Sequence, residues 1–186
     1  MGNKKIIGKF AKCVAIIHAQ NVSQEKFEVY NAEWIIGQAN NIKDIKYKKD
    51  IVTALQVMSQ IEVHNAPPRK NGFMAWDIIQ SDWQKDYQSG LTGNSAWDIA
   101  SIINVANDST FSEIFLESYL RHGGEKPSLA ELYANLYYVK VFEAVQNNNF
   151  ENIMKITQNI IDDTMFDTDI ISYETLLTLN IGVYHA

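Results

Sequence analysis

Apolar residues recur every three or four positions along most of the chain, and this spacing predicts α-helices. Residues 4–20 place one set on a single helical face: Ile6, Ile7, Phe10, Val14, Ile17 and His18. A second helix is predicted from an N-cap at Ser23 to about Gln38, with these residues inward: Phe27, Tyr30, Trp34 and Ile35. A third helix is predicted over about 43–62, with these residues facing inward: Ile45, Ile51, Leu55, Met58 and Ile61.

The pattern changes at Ala66-Pro67-Pro68, because proline lacks an N–H and disfavours a helical residue before it. Residues 73–79 and 82–88 are rich in Trp, Phe, Ile and Tyr and predict a short β-hairpin. A glycine-containing loop follows, and Ser95 is the predicted N-cap of the next helix.

The remaining pattern is helical. Thr110 and Glu113 have capping-box spacing, and Gly123-Gly124 predict the end of that helix. Ser128 and Glu131 predict another capping box, and further helices are predicted over 150–164 and 169–179. The predicted fold is mainly α with a small central β-hairpin. We expect a single helical domain over residues 1–186, with a loop and hairpin insert at 64–94.

Charge and composition narrow the class of protein. The net charge is −6, which argues against nucleic-acid binding, and the basic clusters at 3–12 and 43–49 are interpreted as solvated helix faces. No apolar run is long enough to cross a bilayer and no signal peptide is predicted, so we expect a cytoplasmic protein that does not bind membranes. The lone Cys13 is expected to be a small buried residue.

Four segments occur in an order that is typical of one enzyme family. The first helix ends in Ala-Ile-Ile-His at His18, and a loop from His64 to Asn71 separates its His and Asn by seven positions. Asp86-Tyr87-Gln88 comes fifteen residues later, and residues 93–100 read Gly-Asn-Ser-Ala-Trp-Asp-Ile-Ala. This order resembles the C-terminal lobe of the aminoglycoside phosphotransferase and choline kinase-like family, which has a protein-kinase-like fold.

The resemblance implies ATP-dependent transfer of a phosphoryl group to a hydroxyl of a small cationic amino-sugar or amino-alcohol. It implies that Asn71 and Asp86 hold Mg²⁺, with Asp82 as the alternative if the hairpin has another register. Asp98 would be structural and would brace the loop backbone. Acidic residues that could receive the cationic substrate are Glu113, Glu117 and Glu143.

Two departures change the expected activity. The position of the catalytic aspartate, two residues after His64, is Ala66, whose methyl group cannot accept a proton. No glycine-rich loop or strand lysine precedes the first helix, so we expect the nucleotide-binding N-terminal lobe to be absent. The sequence therefore predicts a degenerate or truncated phosphotransferase that is inactive alone. The alternative is a non-enzymatic binding module, a homo-oligomer or one chain of a split kinase.

Other polar and aromatic residues are interpreted as structural. The histidines at positions 18, 64, 122 and 185 lack metal-ligand spacing. Core packing is the favoured interpretation of Trp76, Trp83 and Trp97, with a ligand pocket as the alternative. The acidic group at positions 162, 163, 167 and 169 lacks the glycine and final glutamate of an EF-hand.

Overall fold

The computed structural model describes residues 2–19, 29–65, 72–73 and 92–162. These residues form seven α-helices: α1 Gly2–His18, α2 Ala32–Ala39, α3 Ile45–Asn65, α4 Ser95–Ala106, α5 Ser109–Arg121, α6 Leu129–Asn147 and α7 Glu151–Ile161. The prediction of a mainly α protein is confirmed. Among the described helices, none is both long enough and apolar enough to span a membrane.

Three strands of two residues each form a small sheet in the order β1-β3-β2. They are β1 Val29–Tyr30, β2 Gly72–Phe73 and β3 Thr92–Gly93. β1 runs parallel to β3, and β2 runs antiparallel to it with Phe73 opposite Thr92. Apart from Phe73, the predicted hairpin over 73–79 and 82–88 lies outside the described residues, so it stays a prediction.

The contacts within the chain define two compact units, each drawn from two stretches of sequence. The first unit takes Met1–Tyr30 and Pro68–Pro127, and the second takes Asn31–Pro67 and Ser128–Ala186. The single domain over 1–186 stays a prediction.

In the first unit, α1 packs along α5. Ala11, Val14 and Ala15 form the buried side of α1, and the Phe10 ring lies 5.7 Å from that of Phe115. Helix α4 is buried without a break from residue 96 to residue 104. A helix buried on all sides can bring its polar side chains into the interior, which is what α4 does with Asp98.

In the second unit, α3 packs against α2, α6 and α7. Its inward residues Ile51, Leu55 and Met58 are fully buried, as predicted. Two ring pairs join other helices of this unit, Trp34 with Phe142 and Tyr47 with Phe150, at centroid distances of 5.4 and 5.5 Å.

Three predicted N-caps are wrong: by eight positions at α2, by one at α4 and by two at α5. Helix α2 begins after Asn31, whose side chain accepts a hydrogen bond from the backbone N–H of Trp34. The predicted start at Ser23 ran the helix through Tyr30, which instead lies in β1. Helix α5 is capped by Asp108 rather than by Thr110, because the Asp108 carboxylate accepts from the Phe111 N–H. In α2 and α5 the true cap is a short polar side chain three residues before the N–H that it accepts.

Two burial predictions, those for Ile45 and Cys13, are also wrong. Ile45 is 80% exposed and Ile6 is 67% exposed, although both follow the apolar period. A period shows which residues share a face but not which turns of the helix have a neighbour. Cys13 is exposed on α1 rather than buried. The helix predicted over 169–179 lies outside the described residues.

Candidate functional site

Two residues that the sequence resemblance singled out meet inside the first unit. His18 is the last residue of α1, and Asp98 lies in the first turn of α4. His18 Nε2 lies 2.9 Å from Asp98 Oδ2, across 80 positions of sequence. The His18 side chain is 6% exposed and that of Asp98 is 0% exposed, so this pair is shielded from water.

The local sequence places Asp98 at this point. Asn94 directly follows β3 and caps α4, with its side chain accepting from the Ala96 N–H at 2.9 Å. The cap sets the first turn of the helix, and Asp98 comes four residues after it. Its neighbour Trp97 is 3% exposed and stacks on Tyr30 of β1 at 5.1 Å and an interplanar angle of 16°. Core packing, the interpretation favoured for Trp97, is confirmed.

The second ring nitrogen of His18 also has a partner. Nδ1 lies 2.8 Å from the hydroxyl oxygen of Tyr119 on α5, and the two rings meet edge to face at 5.5 Å. With the imidazole proton on Nε2, that N–H donates to Asp98, and Nδ1 accepts from the Tyr119 O–H. One histidine therefore joins the last residue of α1 to α4 and α5.

Tyr119 is held in place by the glycines that follow α5. Gly123 has a φ of 87°, in the left-handed region that favours glycine at the end of a helix. The Gly124 N–H donates to the Tyr119 carbonyl at 3.0 Å, and a Cβ on Gly124 would overlap the Tyr119 ring. The sequence signal at Gly123-Gly124 thus ends the helix as predicted, and it also leaves space for the hydroxyl-bearing ring.

We call His18, Asp98 and Tyr119 the His18 cluster. Its chemistry is limited because each ring nitrogen of His18 already has a hydrogen-bond partner. A histidine acts as a metal ligand or general base through a ring nitrogen with a free lone pair. In His18 one nitrogen faces a carboxylate and the other faces a phenol, both within 3 Å. Neither ring nitrogen is therefore open to a metal ion, and the contacts of the histidine join α1 to α4 and α5.

Most of the residues expected to bind Mg²⁺ or to form the catalytic loop are not among the described residues. His64 belongs to the last turn of α3, whereas Ala66, Asn71, Asp82 and Asp86 lie outside the described residues. Asn71 is the chain neighbour of Gly72, and Gly72 pairs with Gly93 one position before the cap of α4. The expected bracing of the loop by Asp98 stays a prediction.

The three glutamates considered for a cationic substrate are divided between the two units. Glu113 and Glu117 are exposed on α5, and Glu117 forms an exposed ion pair with Arg121 four residues later. Glu143 is half-buried on α6 of the second unit. Burial lowers the pKa of Lys140, and the negative charge of Glu143 offsets part of that shift. An exposed i,i+4 pair contributes little to stability, so Glu117 has no evident structural role.

Other candidate residues take structural or exposed positions. His122 is the exposed C-cap of α5, and Asp162 is the exposed C-cap of α7. The predicted residues Trp76, Trp83, Asp163, Asp167, Asp169 and His185 lie outside the described residues. Within the described part of the chain, no group of three His, Cys, Asp or Glu residues is arranged to hold a metal ion.

A second polar cluster, in the second unit, was missed from the sequence. Glu62 on α3 accepts from the Asn135 side chain at 2.9 Å and from the Tyr138 hydroxyl at 3.0 Å. Asn135 and Tyr138 are almost fully buried on α6, and Asn135 also donates to the Glu131 carbonyl. The only sequence signal was a polar Asn within the apolar run of α6, four residues after the capping-box Glu131.

This cluster, which we call the Glu62 cluster (Glu62, Asn135 and Tyr138), also affects ionisation. Burial raises the pKa of Tyr138, and the nearby Glu62 carboxylate raises it further because a second negative charge there would be repelled. The predicted Ser128–Glu131 capping box is confirmed, with both of its hydrogen bonds at 3.1 Å. The beginning of α6 and the end of α3 are thus held by defined polar contacts within the second unit.

Comparison with known proteins found no match to a family model, to a curated protein or to a solved structure.

Proposed function

We propose that this chain is a degenerate relative of the aminoglycoside phosphotransferase and choline kinase-like family, that it works in the cytoplasm, and that it does not transfer phosphoryl groups by itself. The hydrogen bond between His18 and Asp98 carries the proposal. The sequence resemblance matched these residues in two separate segments, an Ala-x-x-His helix end and a Trp-Asp-Ile-Ala helix start. If the two motif matches were chance, there would be no reason to expect a hydrogen bond between His18 and Asp98.

The small sheet provides further support. β2 directly follows the sequence segment from His64 to Asn71, and it pairs with β3, which leads into the helix that carries Asp98. The end of the loop is therefore connected to the unit that holds the His18 cluster. In the family that the chain resembles, the corresponding loop and helix serve the same phosphoryl-transfer site.

Ala66 is the reason to propose a degenerate member. A kinase-type reaction needs a carboxylate to orient the substrate hydroxyl or to accept its proton, and a methyl group does neither. By the resemblance, Asn71 and Asp86, or Asp82 in place of Asp86, would hold Mg²⁺ against ATP. The ion would neutralise charge on the nucleotide phosphates. Nucleotide binding without transfer is the activity that this combination favours.

The proposal can be tested with Mn²⁺ as a paramagnetic probe of the magnesium site. Electron paramagnetic resonance would measure Mn²⁺ binding with ATP in the unchanged protein, in Asp86→Asn and in Glu151→Gln, a matched change at an exposed position of α7. We expect weak binding that falls about tenfold in Asp86→Asn, because one charged ligand becomes neutral, and that is unchanged in Glu151→Gln.

A transfer assay completes the test. Radiolabelled ATP would be incubated with a panel of amino-alcohols and amino-sugars, and we expect no labelled product. Rapid transfer to any of them would contradict the degenerate assignment. Failure of Mn²⁺ and ATP to bind at all would instead favour the second candidate.

The second candidate is a non-enzymatic binding or interaction module, or one chain of a split kinase, that assembles with a second copy or with a separate N-terminal lobe. The exposed isoleucines of α1 favour it, because Ile6 and Ile16 are 67% and 50% exposed. Large apolar side chains at that exposure mark a contact surface when they are grouped with a consistent charge. Sedimentation velocity would distinguish a monomer from an oligomer.

A further inference from the structure

Helix α1 presents a row of lysines to solvent. Lys5, Lys9 and Lys12 are spaced four and three residues apart, so they lie on one line along the helix. All three side chains are exposed. At a rise of about 1.5 Å per residue, the row covers about 10 Å, or two helical turns.

An apolar row lies directly beside the lysines. Ile6, Phe10 and Cys13 each follow one of the lysines by one position, and Ile17 continues this row. Ile6 and Cys13 are exposed, whereas Phe10 and Ile17 are half-buried. The half-exposed Ile16 completes the lysine line at its far end. The exposed face of α1 thus carries positive charge along one side and apolar surface along the other.

The positive charge of this face is not neutralised within the described residues. None of the three lysines forms an ion pair with another described residue. The first acidic residue in the sequence is Glu25, whereas the chain as a whole has a net charge of −6. An uncompensated basic helix in an acidic protein has a strong preference for an acidic partner.

The other basic cluster of the chain, at 43–49, has acidic residues beside its lysines. Asp44 and Asp50 lie among the lysines at 43–49, and Lys48 donates to the Asn40 carbonyl at 2.7 Å. The two aspartates lower the net charge of that cluster, and a backbone carbonyl satisfies one of its lysines. The residues at 43–49 therefore provide a control surface with the same lysine chemistry.

We propose that the exposed face of α1 binds an acidic amphipathic helix of another protein. The lysine row faces the acidic side of that helix, and the row from Ile6 to Ile17 receives its apolar side. Nucleic acid would use the lysines and leave the isoleucines exposed. A bilayer surface requires a broad apolar face, and the broad apolar side of α1, with Ala11, Val14 and Ala15, is already buried within the first unit. This inference does not depend on the proposed phosphotransferase ancestry.

A designed peptide provides the probe. A fluorescent helix of about 18 residues would carry glutamates on one side and leucines on the other, with a scrambled peptide of the same composition as its control. Fluorescence anisotropy would measure the affinity of the complete chain for each peptide. We expect the amphipathic peptide to bind at least tenfold more tightly than the scrambled one.

Charge reversal tests the lysine row. The triple variant Lys5→Glu, Lys9→Glu, Lys12→Glu should weaken binding at least about tenfold at low salt, and the difference should shrink in about 0.5 M salt. The matched triple variant makes the same change in net charge at exposed lysines of the control surface: Lys43→Glu, Lys46→Glu, Lys49→Glu. It should keep most of the affinity. Circular dichroism would verify that both variants remain helical.

The apolar row has its own test. Ile6→Gln with Ile16→Gln removes exposed apolar surface without a change of charge. It should weaken binding by a similar factor at low and at high salt, because apolar burial is not screened.

Four results would overturn the proposal. The first is an equal loss of affinity in the two triple variants, and the second is equal affinity for the two peptides. The third is binding to phosphatidylserine vesicles in place of the peptide. The fourth is self-association that charge reversal at Lys5, Lys9 and Lys12 abolishes. The last two would assign this face to a lipid surface or to a second copy of the chain.

Discussion

Replacement of Asp98 by Asn tests whether the His18 cluster holds the first unit together. The change keeps the size of the side chain and one acceptor oxygen, and it removes the charge that faces His18 Nε2 at 2.9 Å. A hydrogen bond to a charged group contributes about 1.5–3 kcal/mol to stability. Because both side chains are at most 6% exposed, water cannot replace the lost interaction. We therefore expect a loss of about 2–3 kcal/mol in the free energy of unfolding.

The matched control is Asp108→Asn. It makes the same chemical change at the exposed N-cap of α5, where the side chain accepts from the Phe111 N–H. Asparagine is as good an N-cap as aspartate, so we expect a change of about 0.5 kcal/mol or less. Urea unfolding, followed by far-ultraviolet circular dichroism, would measure both variants at neutral pH. Equal costs for the two variants would refute the assignment of Asp98 as a buried partner of His18.

Tyr119→Phe separates the two hydrogen bonds of the histidine. It removes the hydroxyl at 2.8 Å from Nδ1 and leaves the Asp98 contact unchanged. Loss of one partner from a buried acceptor costs about 1–3 kcal/mol. Since both variants act on the same imidazole, their effects should not add in the double variant.

Three further results are expected. Gly124→Ala should lower the free energy of unfolding, measured in urea, by about 1–3 kcal/mol, because the new methyl group overlaps the Tyr119 ring. Its control is Gly37→Ala, at an exposed helical position with open space around it, which should be neutral or stabilising. Burial raises the pKa of Tyr133 to about 12, so the folded state favours the neutral phenol. Stability should therefore be retained below the ordinary tyrosine pKa of 10.0 and fall as the pH rises towards 12, and Tyr133→Phe should reduce that fall in urea titrations. Cys13 is exposed and should react with Ellman's reagent in the folded protein; absence of reaction before urea is added would contradict its exposure.

The elements predicted best are those specified by neighbouring residues. The Ser128–Glu131 capping box and the end of α5 at Gly123 each depend on side chains within four positions, and both appear as predicted. The buried face of α3 also follows from local periodicity at Ile51, Leu55 and Met58. Short-range chemistry of this kind is available from sequence.

The wrong helix starts show where local signals compete. Ser23 and Asn31 are both good N-caps, and the pattern alone could not rank them. Val29 and Tyr30 pair with β3, more than sixty positions away, and that pairing excludes them from α2. A distant strand thus decides between two acceptable local choices, which is the usual way that tertiary contacts override propensity.

Side-chain partners across the chain were the least predictable feature. The resemblance placed both His18 and Asp98 in motifs, but it assigned Asp98 to the loop backbone, and no spacing rule connects positions 80 residues apart. The Glu62–Asn135 bond joins residues 73 positions apart and was not predicted. Such pairs depend on how two helices are oriented within a unit, and periodicity does not contain that information.

In the degenerate relative that we propose, the two clusters would keep helices joined after the catalytic activity is lost. His18 and Glu62 each join helices through part-buried hydrogen bonds, and removal of a partner would break a bond between two helices. On the proposed ancestry, replacement of an aspartate by Ala66 adds no polar side-chain group that needs a partner. Loss of the acid of the expected catalytic loop would therefore leave the contacts of both clusters in place. On the proposed ancestry, the motif positions that serve packing remain recognisable, while the position that served catalysis is free to change.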